Sequence, residues 1–142
     1  MYIIAEIGIN HNGSMHHAKK LIKQSYESKC HAVKFQKRDI ESVYTQEELE
    51  RYRESPWGTT NREQKEGLEF SIKEYQELYS YTKKLGMDFI VSCWDKKSIR
   101  LIEDNLDVDY HKVASPLVTD EEFLKDLVDT GKPIILSTGM ST

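Results

Sequence analysis

Four times in succession this chain sets a short apolar run of strand length ahead of a run of helix length, and a fifth apolar run follows. Few folds accept that pattern. Strand, helix and strand in repetition make a parallel α/β sheet with right-handed crossovers. The strands are expected at Tyr2–Ile9, Ala32–Gln36, Asp88–Cys93, Asp109–Ala114 and Ile134–Thr138. They are nearly continuous in hydrophobicity, as strands covered on both faces must be. Helices are expected at Met15–Ser28, Ser71–Leu85, Lys97–Asn105 and from Thr119 to about Asp129. Ser14 and Thr119 are the expected N-caps, with Glu122 completing a capping box, and Gly86 is the expected C-terminal stop. Between Lys37 and Gly67 the chain is polar, charge-dense and carries Pro56-Trp57-Gly58. That stretch reads as a long loop, functional or mobile, with a short helix around Gln46–Arg53.

Two architectures satisfy the alternation. A doubly wound sheet fits five strands in 142 residues. A (β/α)8 barrel needs roughly 250 residues, so this chain would hold about its first five strands and four helices. No covering helix follows the fifth strand, which favours a truncated barrel. The rest of the composition narrows the function classes. Lys plus Arg is 20 and Asp plus Glu is 24, a net charge of -4. No basic stripe is present, which argues against a nucleic-acid partner. No apolar run is long enough for a membrane span, and the first ten residues lack the basic flank of a signal peptide. Two cysteines, Cys30 and Cys93, without metal-ligand spacing suit a reduced cytoplasmic protein.

Polar residues interrupt the strands, and they gather toward the carboxyl ends. They are Glu6 and Asn10, Lys34 and Gln36, Ser92 and Cys93, Lys112 and Ser115, and Ser137 with Thr138. Ligands of α/β folds bind outside those ends. Lys34 and Gln36, two apart, share one face of a strand while Val33 and Phe35 take the other. A lysine inside a buried strand needs an anionic partner. It either pairs with Glu6 on the neighbouring strand or binds a phosphate or carboxylate. Lys112 repeats the pattern, and with the hydroxyls of Ser115 and Ser137 completes a plausible phosphate cradle. Either lysine could instead form a Schiff base if desolvation lowers its pKa. Glu6 is a structural ion-pair partner, an acceptor for substrate hydroxyls or a proton-handling carboxylate. His11 is a satisfied loop histidine or a substrate contact. His16 and His17 are adjacent and do not share a helix face, so they make a poor metal site. Cys93 reads as an ordinary buried thiol, and Trp57 as a lid contact.

Six stretches resemble the sialic acid synthase family, N-acetylneuraminate synthase and its relatives. They are Ile4-Ala-Glu-Ile-Gly-Ile-Asn-His-Asn-Gly13, Ala32-Val-Lys-Phe-Gln36, Ser55-Pro-Trp-Gly58 with Arg62–Lys65 and Gly67–Glu69, Ser92-Cys-Trp-Asp95, Lys112-Val-Ala-Ser-Pro116, and Thr130-Gly-Lys-Pro-Ile-Ile-Leu-Ser-Thr-Gly-Met-Ser-Thr142. They span the chain in the family's order. The resemblance implies a (β/α)8 barrel that condenses phosphoenolpyruvate with an N-acetylated hexose such as N-acetylmannosamine, using Mn2+ or Mg2+, to give a nine-carbon sialic acid and phosphate. It implies that Lys34, Lys112, Ser115 and Ser137 lie about the phosphoenolpyruvate phosphate and carboxylate, with Glu6, Asn10 and Gln36 in the same site. It implies a homodimer, metal-binding histidines on later strands beyond Thr142, and in many members a C-terminal antifreeze-like domain. Two positions depart from the family pattern: Cys93, where many relatives carry Thr, and Leu117, where well-studied bacterial members carry an acidic residue. Two rivals remain, a Schiff-base aldolase using Lys112 and a non-catalytic half-barrel that serves as a scaffold.

Overall fold

In a computed structural model, which describes residues 1–139, the chain forms one five-stranded parallel sheet with helices on one face. The last three residues of the final motif, Met140 to Thr142, lie outside the described residues. In chain order the elements are β1 (Ile4–Gly8), α1 (Met15–Glu27), β2 (Ala32–Lys37), α2 (Ile40–Val43), α3 (Gln46–Glu50), β3 (Tyr52–Ser55), β4 (Gly58–Thr60) and α4 (Asn61–Leu68). Then come α5 (Ile72–Lys84), β5 (Asp88–Cys93), α6 (Lys96–Glu103), β6 (Tyr110–Val113), a 3-10 turn (Ser115–Leu117), α7 (Glu121–Val128) and β7 (Ile134–Leu136).

The main sheet runs β1-β2-β5-β6-β7, every pair parallel. The order climbs without reversal. A doubly wound sheet must reverse and carry helices on both faces, so the observed order excludes it and leaves the partial barrel. Alternation along each strand sorts the side chains. Val33, Phe35, Phe89, Val91 and Val113 point outward and pack against Ala18 and Ile22 of α1, Tyr75 and Leu78 of α5, Ile99 and Ile102 of α6, and Phe123 and Leu127 of α7. The alternate positions, among them Lys34, Gln36, Ser92 and Lys112, line the inner face.

The caps explain most helix boundaries. Ser14 accepts from the His17 amide, as expected, and the Ser71–Glu74 pair closes a capping box on α5. Gly86 ends α5 at φ 74°. The expectation for α7 needs correction by one residue: Asp120, not Thr119, accepts from the Phe123 amide at 3.0 Å. A carboxylate is the stronger acceptor at a helix N-terminus, and this register buries Phe123. Glu122 instead reaches across to Lys96 at 3.0 Å.

The expected long loop between Lys37 and Gly67 is also corrected. It folds as three short helices and an antiparallel hairpin, β3–β4. Helix α4 starts at a complete capping box, Thr60 with Glu63. The hairpin is held down by a close approach of three segments. The Trp57 ring lies flat on Gly67, where an added Cβ would sit 2.2 Å from it. Gly13, at φ 68°, presses on the same junction: an added Cβ would sit 2.1 Å from the Gly67 carbonyl oxygen and 3.2 Å from Trp57 Cζ2. Sequence analysis placed Trp57 in a lid. The structure makes it the pin that fastens the hairpin to the β1–α1 loop.

Candidate active site at the carboxyl ends of the strands

The register of β1 and β2 sets Glu6 opposite Lys34. Their side chains form an ion pair, with Lys34 nearly buried and Glu6 half exposed. Of the two alternatives for Lys34, the structure shows the pairing with Glu6, and the pair stands at the inner face. Gly8 makes room beside it: a Cβ there would lie 2.9 Å from Glu6 Oε1 and 3.3 Å from Gln36 Nε2. Lys112 comes from β6, two strands away from β2. Burial and the Lys34 ammonium push its pKa below the ordinary lysine value, while Glu6 pulls it back. An ammonium group crowded by a second one is eased by an anion beside it.

Ser92, between them on β5, donates its hydroxyl to the Lys112 carbonyl at 3.0 Å and so ties β5 to β6 beneath the site. Ser115 opens the 3-10 turn just past β6. Ser137 follows β7, its amide bonded to the Val113 carbonyl at 3.1 Å, which brings it level with the end of β6. Gly139 packs against Ser115, 3.7 Å from an added Cβ to the Ser115 Cβ, so these two loops are neighbours. Thus Glu6, Lys34, Gln36, Lys112, Ser115 and Ser137 gather at one end of one sheet face. Asn10 stands apart on the rim. Its amide donates to the Ile7 carbonyl at 3.0 Å, and it lines a cleft of about 670 Å³ with Ile9, Asn12, Arg53, Trp57 and Gln64.

Other expectations resolve plainly. Cys93 faces the helices, not the mouth, and burial pushes its thiol well above the usual range. Leu117 packs against the hydrophobic core. His11 is the satisfied loop histidine: buried, stacked on Phe70 at 4.1 Å, with Nδ1 accepting from the Gly13 amide at 3.1 Å. Among the described residues no three His, Cys, Asp or Glu side chains converge, so the divalent metal implied by the resemblance finds no ligand set in them.

Burial lowers the His11 pKa from 6.5 to about 4. A histidine held neutral stabilises the fold fully above its unfolded pKa, and that stability drains away as pH falls toward the folded value. The expected loss between pH 6.5 and 4 is about 3 kcal/mol from this residue. His11→Asn keeps an acceptor for the Gly13 amide but cannot titrate. Urea midpoints across that range should flatten in the variant; an unchanged slope would acquit His11.

Sequence analysis missed two basic residues next to the site. Lys37 is a buried cation bonded to Glu69 at 2.9 Å and to the Phe70 carbonyl at 3.2 Å, tying the end of β2 to the α4–α5 junction. Arg38 is buried too. It stacks on Trp94 at 4.7 Å, and its Nη2 donates to Gln36 Oε1. The signal was present: Arg38 continues the two-residue period of Lys34 and Gln36.

Comparison with known proteins agrees with the architecture. The model of the NeuB family matches residues 21–142. An N-acetylneuraminate-9-phosphate synthase of Drosophila melanogaster is 39% identical over 144 residues, covering all of this chain and 38% of its own length. An N,N'-diacetyllegionaminic acid synthase of Campylobacter jejuni is 34% identical over 98% of this chain and 42% of its own. The crystal structure of an N-acetylneuraminic acid (sialic acid) synthetase from Leptospira borgpetersenii, in complex with citrate, superposes with a TM-score of 0.83 at 26% identity. It covers 99% of this chain and 45% of that one. The chain spans about two fifths of the length of the curated relatives it matches, at their N-terminal part. With a matching family model over most of its length and a partial barrel of the same shape, the chain belongs to the NeuB family.

Proposed function

We propose that the complete protein condenses phosphoenolpyruvate with an N-acetylated hexose, such as N-acetylmannosamine, to give a nine-carbon sialic acid-type sugar and phosphate. The observation that carries this reading is the pair of inner-face lysines, Lys34 and Lys112, held beside one carboxylate, Glu6. Two ammonium groups match the phosphate and carboxylate of a small, multiply charged donor. The hydroxyls of Ser115 and Ser137 serve the phosphate. Gln36 and Asn10 face the sugar. Glu6 accepts a hydrogen bond from a substrate hydroxyl or holds the proton that moves as the new bond forms. The enol carbon attacks the sugar aldehyde, water adds to the donor carbon, and phosphate leaves. The relatives differ in the sugar they are named for, so the acceptor is proposed as a class.

The same reading places the protein in the cytoplasm as a homodimer that uses Mn2+ or Mg2+. No helix among the described residues is long and apolar enough to cross a membrane. No step is assigned to the metal, because the described residues offer it no ligand set. The test is phosphate release from phosphoenolpyruvate that depends on an N-acetylated hexose, assayed on protein made from the complete reading frame. The 142-residue chain alone should release none; hexose-dependent release from it would mean that this stretch already holds everything the reaction needs.

One observation favours a second reading. The lowered pKa of Lys112 is what a Schiff-base lysine requires. Borohydride with pyruvate separates the two. The synthase forms no imine and gains no mass, whereas a stable adduct on Lys112 would establish the aldolase.

A further inference from the structure

The chain has four asparagines. Three of them have the side-chain nitrogen committed. Asn10 donates to the Ile7 carbonyl at 3.0 Å, Asn61 to the Glu48 carbonyl at 2.9 Å and Asn105 to the Leu101 carbonyl at 2.9 Å. The fourth, Asn12, is exposed, and its carboxamide bonds to nothing among the described residues. It is also the one asparagine that precedes a glycine. Asparagine is among the chemically labile side chains of a folded protein. It is lost when the amide nitrogen of the next residue attacks its side-chain carbonyl carbon. A glycine at that next position puts no side chain in the way.

The fold sets the attacking amide against a base. Asn12 and Gly13 are both left-handed, at φ 51° and 68°, and the Ser14 amide closes on the His11 carbonyl at 3.0 Å, as in a type I′ turn. The Gly13 amide donates to His11 Nδ1 at 3.1 Å, so Nδ1 is the unprotonated nitrogen of a neutral imidazole. The ring is held in place: it is buried, stacked on Phe70 at 4.1 Å and tilted on Phe35 at 6.0 Å. Glu74, on α5, is the charged group that faces it, and that carboxylate is engaged by Ser71. Burial outweighs Glu74 and the Gly8 backbone, so His11 remains neutral, and a base, down to about pH 4.

We propose that Asn12–Gly13 is a self-modifying site, at which His11 acts as the general base for converting Asn12 to aspartate and isoaspartate. His11 Nδ1 takes the Gly13 amide proton as the Gly13 nitrogen bonds to Asn12 Cγ. The Cγ–Nδ2 bond then breaks, and the nitrogen departs as ammonia with the bonding electron pair and the proton that His11 returns. Water opens the five-membered imide, giving its hydroxyl to one carbonyl carbon and its other proton to the ring nitrogen. Opening at Cγ yields aspartate. Opening at the Asn12 main-chain carbonyl yields isoaspartate and routes the backbone through one extra carbon. Either product puts a carboxylate into the cleft that Asn12 shares with Arg53 and Trp57. The isoaspartyl product also lengthens the turn at Gly13, which has no space to spare against Gly67. The seat of the hairpin therefore changes with the age of the molecule.

The test follows peptide masses in protein from the complete reading frame, stored at physiological temperature and sampled over weeks. The peptide that holds Asn12 is expected to gain the mass of a carboxamide turned carboxylate, divided between aspartate and isoaspartate. The gain should run about tenfold or more faster than at Asn61 or Asn105. With His11 as the base, the rate stays level from about pH 5 to 8, whereas attack driven by hydroxide rises about tenfold per pH unit. His11→Asn keeps an acceptor for the Gly13 amide but cannot take its proton. It should slow the gain at position 12, assigned by fragmentation, about tenfold or more. If that variant fails to fold, the pH profile of the unaltered protein decides alone. A rate that climbs with hydroxide, an equal rate in folded His11→Asn, or a gain at Asn12 no faster than at Asn61 overturns the proposal. No substrate enters the experiment, so its outcome is independent of the synthase reading.

Discussion

If the proposed condensation is what the complete protein performs, Lys34→Ala is expected to lower kcat/KM for phosphoenolpyruvate by about 10²- to 10³-fold in protein from the complete reading frame. The size follows from burial. Lys34 is nearly enclosed, and its charge acts through little water on whatever anion lies beside it. Removing it also frees Glu6 to repel that anion. Stability changes little, within about 1 kcal/mol, because Glu6 is half exposed and water takes over as its partner. Kinetics at saturating hexose, read beside a urea unfolding curve, separates the two effects. Near-normal kinetics would remove Lys34 from the site. A large loss of stability with activity falling in parallel would show that the Glu6–Lys34 pair is a brace only.

Gly67→Ala opens the hairpin at a cost of about 2–3 kcal/mol. The new methyl carbon would lie 2.2 Å from the Trp57 ring, so the partly exposed ring must leave its seat on α4. Gly13→Ala acts on the same junction and adds backbone strain at φ 68°. Gly86→Ala is the control. Its φ of 74° carries similar strain, but nothing lies within 4 Å of the added carbon, so only about 1 kcal/mol is expected. Trypsin reads the difference locally, since Arg51 is exposed at the foot of the hairpin. Cleavage after Arg51 should quicken about 30- to 150-fold in Gly67→Ala if opening precedes cutting. Equal rates in Gly67→Ala and Gly86→Ala would mean that the Trp57 contact holds nothing in place.

The five sheet strands were legible within a few residues because burial on both faces leaves little freedom in their composition. Strand β5 falls where its apolar run says it should, Asp88–Cys93. The Glu6 partner of Lys34 was legible for a related reason: a lysine amid Val33 and Phe35 has no cheap explanation other than a partner or a ligand. The excursion between β2 and α5 was legible only at the short helix expected around Gln46–Arg53, which is α3, Gln46–Glu50. Its other helices are four and eight residues long, too short for periodicity to speak. The Thr60–Glu63 box was the available signal for α4, and it was overlooked in a stretch read as loop. The reading of α7 failed by one residue because Thr119 and Asp120 are both competent caps, and only the burial of Phe123 decides between them. Arg38 was missed because its role depends on Trp94 and Glu69, which lie 56 and 31 residues away.

The two-residue alternation along β2 has a genetic consequence. Deleting or inserting a single codon between Ala32 and Lys37 would turn the strand over. Val33 and Phe35 would then face the mouth, and Lys34 and Gln36 would be driven into the packing against α1 and α5. One frame-preserving lesion would thus destroy the core and the chemistry together. In the Pro56–Trp57 turn the chain runs along the surface at the end of a short hairpin, and a codon gained beside Pro56 would leave the sheet register untouched. Lineages descending from such a gene should therefore record length changes in the hairpin and almost none in β2.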